Sequence, residues 1–466
     1  MKKTIPLILS FLLLISMLMG CGDNSSTSSP ASSTSSKSET VDHVSQTVQS
    51  KDTGEEITLG FMSWEENMAK TLEEDAITVY MEKNPGVTVE VQFVSGGDYL
   101  AKLNTLIAAS SEPDVYKLNE YKTLEFGMDG LAENLTPYFD AVGVNPAEKF
   151  VPGTVAMSGD ECYGVGKDAA TILFFYSKPL FEKYNVTPPP ASPSDAWTWD
   201  EFVDAAQKLT VDTNGNNVTD PDFDRESIAS YGTVLDTSGW LLNMPLLYSN
   251  GGSFASEDGM TSALTSPETI DCFSKLYNLI EMDIAPTPAI ASGIPSSSAM
   301  MLVDQLAMYW TGTWEIASLN EGGVDYGIGA MPKMKDVKNI SWSAHHVVSA
   351  NSPNKQEAFD FMHWFIDPFT NPLVLQQGVP SNAEFMAADP EALYDFFGEE
   401  NTKVIIETLD SAIAPENVTI KNFGQIADQN FKPIMDKMWY GEASAAEALQ
   451  EVEESSMDLF QGRWGK

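Results

Sequence analysis

The chain has 466 residues, which suggests two or three domains and excludes a small disulfide-stapled fold. Hydrophobic residues make up 43% and charged residues 20%, as in packed globular proteins. Only one apolar run approaches the length of a membrane-spanning helix, which excludes a multi-span permease. The formal net charge of −41 would repel phosphate backbones, so nucleic acid is not expected as a partner.

The N-terminus has the pattern of an export signal. Two lysines precede an apolar stretch, 5–19, that is shorter than the roughly 20 residues of a membrane-spanning helix. The sequence LMGC, which ends at Cys21, resembles the bacterial lipobox, in which a peptidase cleaves before an acylated cysteine. We therefore expect 1–20 to be a lipoprotein signal peptide and Cys21 to carry lipid (palmitate), which anchors the protein at the extracellular face of the cell membrane. The alternative is an ordinary signal peptide with a chance cysteine.

The next segment, 21–54, is rich in Ser and Thr and poor in large apolar residues, so we expect a flexible tether. The other two cysteines, Cys162 and Cys272, show no metal-binding spacing. Two buried free thiols are favoured over a disulfide between them, and both alternatives stay open.

Strand and helix patterns alternate at the start of the globular region. Apolar residues predict strands at 57–62, 87–93 and 113–116, with helical spacing over 68–80 and 100–107 between them. This order favours a parallel α/β sheet, in which ligands bind at the carboxyl ends of the strands. Capping-box spacing predicts further helix starts at Thr198 and Ser444, and Ser352-Pro353 predicts the start of a long apolar helix.

Residues 172–210 are similar to a signature of the extracellular solute-binding proteins that serve carbohydrate ABC importers. An aromatic strand, a KPLF helix start, a Pro-rich loop and a TWDEF helix follow one another. Further matching segments follow in the family's order, at 102–115, 162–166, 305–314 (QLAMYWTGTW), 326–332, 351–365, 379–382 and 441–449. Two features depart from the family: Ser177 stands where Asn is usual, and 343–346 replaces a Gly-rich hinge strand.

The resemblance implies an α/β, two-lobed periplasmic-binding-protein-like fold (type II), whose lobes are discontinuous in sequence and enclose a ligand cleft. The expected lobes are 55–167 plus 346–378 and 168–345 plus 379–466. Closure about the chain crossings between them is a recognised mode for binding proteins. The resemblance also implies ABC transporter permease subunits as partners. We expect a monomer with no required cofactor.

A carbohydrate has flat CH faces and a rim of hydroxyls, so its receptor needs aromatic plates and polar groups. The aromatic candidates are Trp314 by its matching motif, Trp64 in the loop after the first predicted strand, Trp240 in a Gly- and Pro-flanked segment, and Trp342 at a crossing that the resemblance implies. The polar candidates are Glu65 and Asn119, which follow predicted strands, and Asp168 and His345, which lie at the implied crossings. Trp314 leads because it lies in the GTW turn. The alternatives are a core tryptophan, a solvated loop residue and, for His345, a structural histidine.

The chain contains only two arginines, Arg225 and Arg463, and neither lies in a segment expected at the cleft. Receptors for anionic solutes commonly use a bidentate arginine or a helix N-terminus. The deficit favours a neutral ligand.

Oxygen-bearing side chains recur at 212–220 as they do in an EF-hand calcium loop. The candidate ligands are Asp212, Asn214, Asn216 and Asp220. Asn217 replaces the usual glycine, and Phe223 occupies position twelve. A structural calcium site and a plain polar turn both remain open.

These observations predict a receptor that captures a neutral sugar or oligosaccharide and delivers it to an ABC transporter. An enzyme is not expected, because the sequence shows no nucleophile elbow, zinc-binding His-Glu-x-x-His helix or phosphate loop. The alternatives are a receptor of the same fold for a peptide or polyamine and, less favoured, a secreted glycosidase.

Overall fold

A computed structural model describes residues 56–237 and 239–465. The predicted signal peptide, Cys21 and the tether up to residue 54 lie outside the described residues and stay predictions. None of the described helices is both long enough and apolar enough to cross a membrane.

The strands of the described residues form two separate mixed sheets. In chain order they are β1 (Ile57–Ser63), β2 (Val87–Phe93), β3 (Val115–Leu118), β4 (Val155–Ser158), β5 (Glu161–Gly166), β6 (Ala170–Ser177), β7 (Val211–Asp212), β8 (Ile228–Thr233), β9 (Leu306–Gly312), β10 (Tyr326–Gly329), β11 (Ser341–Trp342) and β12 (His345–Val348). The first sheet has the order β2-β1-β3-β12-β5-β4, and the second has the order β10-β6-β9-β8-β7, with β11 beside β6.

Helices cover the sheets. In chain order they are α1 (Asn67–Lys83), α2 (Gly96–Ala108), α3 (Glu120–Met128), α4 (Thr136–Ala141), α5 (Pro146–Lys149), α6 (Lys178–Lys183), α7 (Trp199–Leu209), α8 (Met244–Ser249), α9 (Pro267–Glu281), α10 (Pro288–Ala291), α11 (Ser297–Leu302), α12 (Glu315–Gly322), α13 (Lys355–Ile366), α14 (Ala383–Ala388), α15 (Tyr394–Phe397), α16 (Glu399–Asp410), α17 (Phe423–Gln425), α18 (Lys432–Trp439) and α19 (Ala445–Ser456). A π-helical segment, Ile426–Phe431, joins α17 to α18, and 3₁₀ helices lie at Pro193–Asp195, Arg225–Ser227, Leu241–Asn243, Pro372–Gln376, Pro390–Leu393, Glu416–Val418 and Met457–Leu459.

The parallel start of the first sheet confirms the sequence prediction. β1 pairs in parallel with both β2 and β3. α1 follows the predicted apolar spacing and ends at Lys83, with Asn84 as its C-cap before Pro85 and Gly86. The other half of the sheet is antiparallel, because β12 pairs with β3 and β5, and β4 pairs with β5.

The chain passes between the sheets after β5, after β11 and before Val379, which belongs to a core of the second sheet. Backbone hydrogen bonds join the first and last of these crossings: the Ala169 amide donates to Val379 O at 2.7 Å, and the Ser381 amide donates to Lys167 O at 3.1 Å. β12 begins at His345, one residue before the lobe boundary expected from the sequence. Each lobe is thus built from separate stretches of chain.

Separate hydrophobic cores lie against the two sheets. Cys162 belongs to the core of the first sheet, and Cys272 belongs to a core of the second. Both thiols are buried and free, as the sequence favoured.

The predicted capping boxes at the starts of α7 and α19 are both formed. The predicted start at Ser352-Pro353 is wrong by two residues, because α13 begins at Lys355. The Ser352 hydroxyl instead donates to Asp114 Oδ1 at 2.6 Å and accepts from the Asn354 amide at 3.1 Å, which places it in the turn before the helix.

Candidate functional site

Four of the predicted ligand residues lie at one edge of the first sheet. Trp64 and Glu65 follow β1, and Asn119 follows β3; these strands are parallel, so their carboxyl ends share an edge. β12 runs antiparallel to β3 and pairs His345 with Leu118, which brings His345 to the same edge.

The other four lie at one edge of the second sheet. Trp240 lies in the segment after β8 and Trp314 follows β9, and these strands are parallel. Asp168 precedes β6, which runs antiparallel to β9, and Trp342 pairs with Ala170 at the start of β6. The two edges adjoin the same chain crossings, so they border one cleft between the lobes.

A pocket of about 250 Å³ opens at the first edge. It is lined by Trp64, Gly96, Tyr99, Leu100, Lys117, Leu118, Asn119 and Lys122. The Trp64 ring packs edge-to-face on Tyr99, with centroids 4.9 Å apart, and Lys117 Nζ lies 4.7 Å from the Trp64 centroid. The indole is therefore held between a ring and a cation, while the exposed Asn119 amide supplies donors and an acceptor beside it.

Glu65 belongs to a buried ionic network beneath this pocket. Its Oε1 is paired with Lys117 and lies 3.5 Å from Lys167 Nζ, and Lys167 Nζ also lies 2.9 Å from Oε1 of the fully buried Glu73. Burial raises the pKa of Glu65, but the attraction of Lys167 and Lys117 outweighs it and holds the pKa well below its usual range. The ion pairs hold the Glu65 carboxylate in place and ionised, and 21% of its side chain is exposed. Glu65 is therefore a fixed hydrogen-bond acceptor at the cleft.

The network reaches the chain crossings through Lys167. Its Nζ donates to Gln377 Oε1 at 2.5 Å, and Gln377 directly precedes the last crossing. The neighbouring Asp168 is half-buried, and its Oδ1 accepts from the Ser343 hydroxyl at 2.9 Å. Asp168 therefore connects the first crossing to the second.

Trp314 presents the most open aromatic surface of the four tryptophans. It is 49% exposed, whereas Trp342 is 5% exposed and packs edge-to-face against it, with centroids 5.9 Å apart. A side chain at Gly312 would overlap the Trp314 ring, so the glycine lets the indole lie on the end of β9. Trp314 can offer a face to a ligand while Trp342 supports it.

The remaining candidates are more enclosed. Trp240 is half-buried and packs edge-to-face on Phe423, with centroids 4.4 Å apart. His345 is fully buried with Nδ1 3.0 Å from Thr123 Oγ1, and burial lowers its pKa to about 4, so it is neutral. This position matches the structural-histidine alternative that the sequence left open.

The 212–220 loop forms a self-contained polar turn. Asp212 Oδ1 accepts from the amides of Asn214 and Asn216 at 2.8 and 2.9 Å, and Oδ2 accepts from the Asp224 amide at 2.9 Å and from Asn216 Nδ2 at 3.1 Å. Both carboxylate oxygens of Asp212 thus accept hydrogen bonds from N–H groups, whereas a calcium ion would need these oxygens as ligands. The loop does not fit calcium in this conformation, and no group of three or more acidic, His or Cys side chains among the described residues could hold a metal ion.

Sequence reasoning missed Tyr99, Lys117 and Lys122 as pocket residues, and Glu73 as their buried support. Lys117 could have been found, because it is a charged residue inside the short strand VYKL and a buried charge needs an oppositely charged partner. Tyr99 could not have been found from the sequence, because an aromatic residue at helical spacing is typical of a hydrophobic core.

The profile of the family described as bacterial extracellular solute-binding protein matches residues 64–368. The chain belongs to this family. A binding protein from Brucella abortus (strain 2308) is 25% identical over 294 residues, which cover 61% of this chain and 66% of the relative, slightly under two thirds of its length. The maltotriose-binding protein of Pyrococcus abyssi is 23% identical over 384 residues, covering 79% of this chain and 72% of that protein.

A solved structure is similar over nearly its whole length. It is an ABC substrate-binding protein from Listeria monocytogenes in complex with cycloalternan, with a TM-score of 0.72 and 22% identity, covering 86% of this chain and 97% of that chain. This likeness confirms the predicted two-lobed, periplasmic-binding-protein-like α/β fold.

Proposed function

We propose that the protein is a receptor that captures a neutral sugar or oligosaccharide and delivers it to an ABC transporter without breaking a bond. The observation that carries the proposal is the pair of facing edges: the open Trp314 indole on one, and the Trp64 pocket with Asn119 and ionised Glu65 on the other. Aromatic plates suit the CH faces of a sugar, and amide and carboxylate groups suit its hydroxyls.

Charge pairing in the pocket supports a neutral ligand. Lys117 and Lys167 are compensated by Glu65 and Glu73, and Lys122 is paired with Glu125 at 2.9 Å. These lysines therefore offer no surplus positive charge to an anionic solute. The names of two similar proteins, which mention maltotriose and cycloalternan, also support a carbohydrate.

The LMGC motif supports lipid attachment at Cys21, and with it a place at the extracellular face of the cell membrane. The proposed partners are the permease subunits of an ABC transporter. We propose that the receptor acts as a monomer, because lobe closure requires both lobes to be free.

The test is thermal unfolding of the purified protein with maltotriose, other mono- and oligosaccharides, amino acids, peptides and polyamines. A ligand at 100 times its dissociation constant adds about 2.7 kcal/mol to the unfolding free energy. We expect a sugar to raise the midpoint and Trp314→Ala to abolish the rise, because the substitution removes the open aromatic face. Tyr440→Ala, at an exposed aromatic residue at the end of α18, is the control and should leave the rise unchanged.

Stabilisation by a peptide or polyamine alone would show that the substrate class is wrong. A sugar that stabilises the wild type and Trp314→Ala equally would exclude Trp314 from the site. Release of a chromophore from a nitrophenyl glycoside would favour the glycosidase alternative.

A further inference from the structure

A buried carboxyl and a buried amide meet between the lobes. Glu120, 6% exposed, begins α3 directly after the first-sheet edge, and Asn417, 0% exposed, lies in the 3₁₀ helix Glu416–Val418. Asn417 Nδ2 donates to Glu120 Oε1 at 2.5 Å. The segment that carries Asn417 is fixed to the second lobe, because Glu416 accepts from the Phe254 amide at 2.7 Å.

The pair is incomplete in one respect. Asn417 Oδ1 is buried and has no hydrogen-bond partner among the described residues. Buried amide oxygens normally accept a hydrogen bond. An ionised carboxylate cannot supply one, whereas a protonated carboxyl can donate its O–H and close a two-bond acid–amide ring.

The charged and titratable groups on the elements around Glu120 have partners, are held neutral or, in the case of Asp428, lie exposed to solvent. On α3 they are Tyr121, Lys122 and Glu125; on β5, Glu161, Cys162 and Tyr163; on β12, His345 and His346; on the 3₁₀ helix, Glu416; and on the π-helical segment, Asp428. Glu416 is paired with Arg463 at 2.8 Å, and Glu161 accepts from the Tyr163 hydroxyl at 2.7 Å. Burial keeps both histidines neutral by lowering the pKa of each.

Burial raises the pKa of Glu120 from its usual 4.5 to about 7, against hydrogen bonds from its own backbone amide and from Asn417. A group whose pKa is raised on folding stabilises the folded state at acidic pH, and that contribution is lost as the pH rises through the folded-state value. For Glu120 the loss falls between about pH 4.5 and 7.

We propose that Glu120 and Asn417 form a proton-dependent latch between the lobes. With Glu120 protonated, two hydrogen bonds join the lobes. With Glu120 ionised, the second bond is lost and a buried negative charge faces the amide oxygen, so the contact loosens. The latch stands on these two residues and does not depend on the identity of the ligand.

The latch can be tested without a ligand by comparing wild type and Glu120→Gln between pH 5.5 and 8. Small-angle X-ray scattering reports lobe separation, and thermal unfolding reports stability. We expect the wild-type radius of gyration to increase and its midpoint to fall by about 3 °C as the pH rises. Glu120→Gln, whose amide can donate at every pH, should show neither change. Glu125→Gln, at a partly buried carboxylate on the same helix that pairs with Lys122 and not with Asn417, is the control and should behave like the wild type.

An unaltered pH response in Glu120→Gln would overturn the proposal, and so would a change in midpoint without a change in radius. Asn417→Asp provides a second variant if Glu120→Gln does not fold. It places two carboxyls at one site, which repel once both ionise, and should steepen the pH response. A wild-type response in Asn417→Asp would equally contradict the latch.

Discussion

Lys167 is the residue on which the buried ionic network depends. It contacts Glu73 and Gln377 and lies beside Glu65, so its removal leaves Glu73 with a buried and poorly compensated charge. Breaking a buried pair by removing one partner costs about 3–5 kcal/mol. We therefore expect Lys167→Met to lower the free energy of unfolding by that amount, measured by urea denaturation at neutral pH.

Lys403→Met is the matched control, because Lys403 forms an exposed pair with Glu399 one helical turn away. Exposed pairs of this kind contribute about 0.3–0.5 kcal/mol. Equal losses in the two variants would contradict the structural importance of the buried network.

The pairing within this network could not be predicted from the sequence. Lys117 pairs with a residue 52 positions away, and Lys167 bonds partners 94 and 210 positions away. No local pattern encodes such pairs. The tryptophans at the strand ends could be named in advance, because Trp314 lies in a recognisable turn and Trp64 follows a clear strand.

The capping box of α7 is an element-scale feature that the sequence predicted. Thr198 Oγ1 accepts from the Glu201 amide at 3.3 Å, and Glu201 accepts in return from the Thr198 amide at 2.8 Å. Loss of an N-cap threonine typically costs about 1 kcal/mol. We expect Thr198→Ala to lower the free energy of unfolding by about this amount in urea denaturation.

Thr71→Ala, on the exposed face of α1, lies outside any cap and should change stability by less than about 0.5 kcal/mol. A Thr198→Ala variant as stable as this control would show that the cap contributes nothing.

Sheet order is the element-scale feature that the sequence did not reveal. β1, α1 and β2 follow local apolar periodicity, so their bounds agree with the prediction within three residues. β12 enters between β3 and β5 although it follows them by about 230 and 180 residues. That pairing depends on contacts between distant segments, and periodicity carries no information about them.

The crossings between the lobes are close-packed at Gly166. A side chain there would overlap the Cβ and hydroxyl of Ser343. Overpacking of this kind typically costs about 1–3 kcal/mol. We expect Gly166→Ala to lower the free energy of unfolding by that amount.

The double variant Gly166→Ala/Ser343→Gly should recover part of this loss, because removing the Ser343 side chain frees the space that the new methyl group needs. A double-mutant cycle of urea denaturation measures the coupling. Strictly additive effects would show that the two residues do not share this space.

The position of β12 in the first sheet also sets the order of events during synthesis. A chain that ends before about residue 348 carries β3 and β5 but lacks the strand that joins them. The first lobe therefore cannot complete its sheet until three quarters of the protein has left the ribosome. Until β12 is synthesised, the N-terminal strands cannot form the complete sheet of the first lobe. If the chain is exported through a membrane channel during synthesis, no completed first lobe has to be unfolded beforehand.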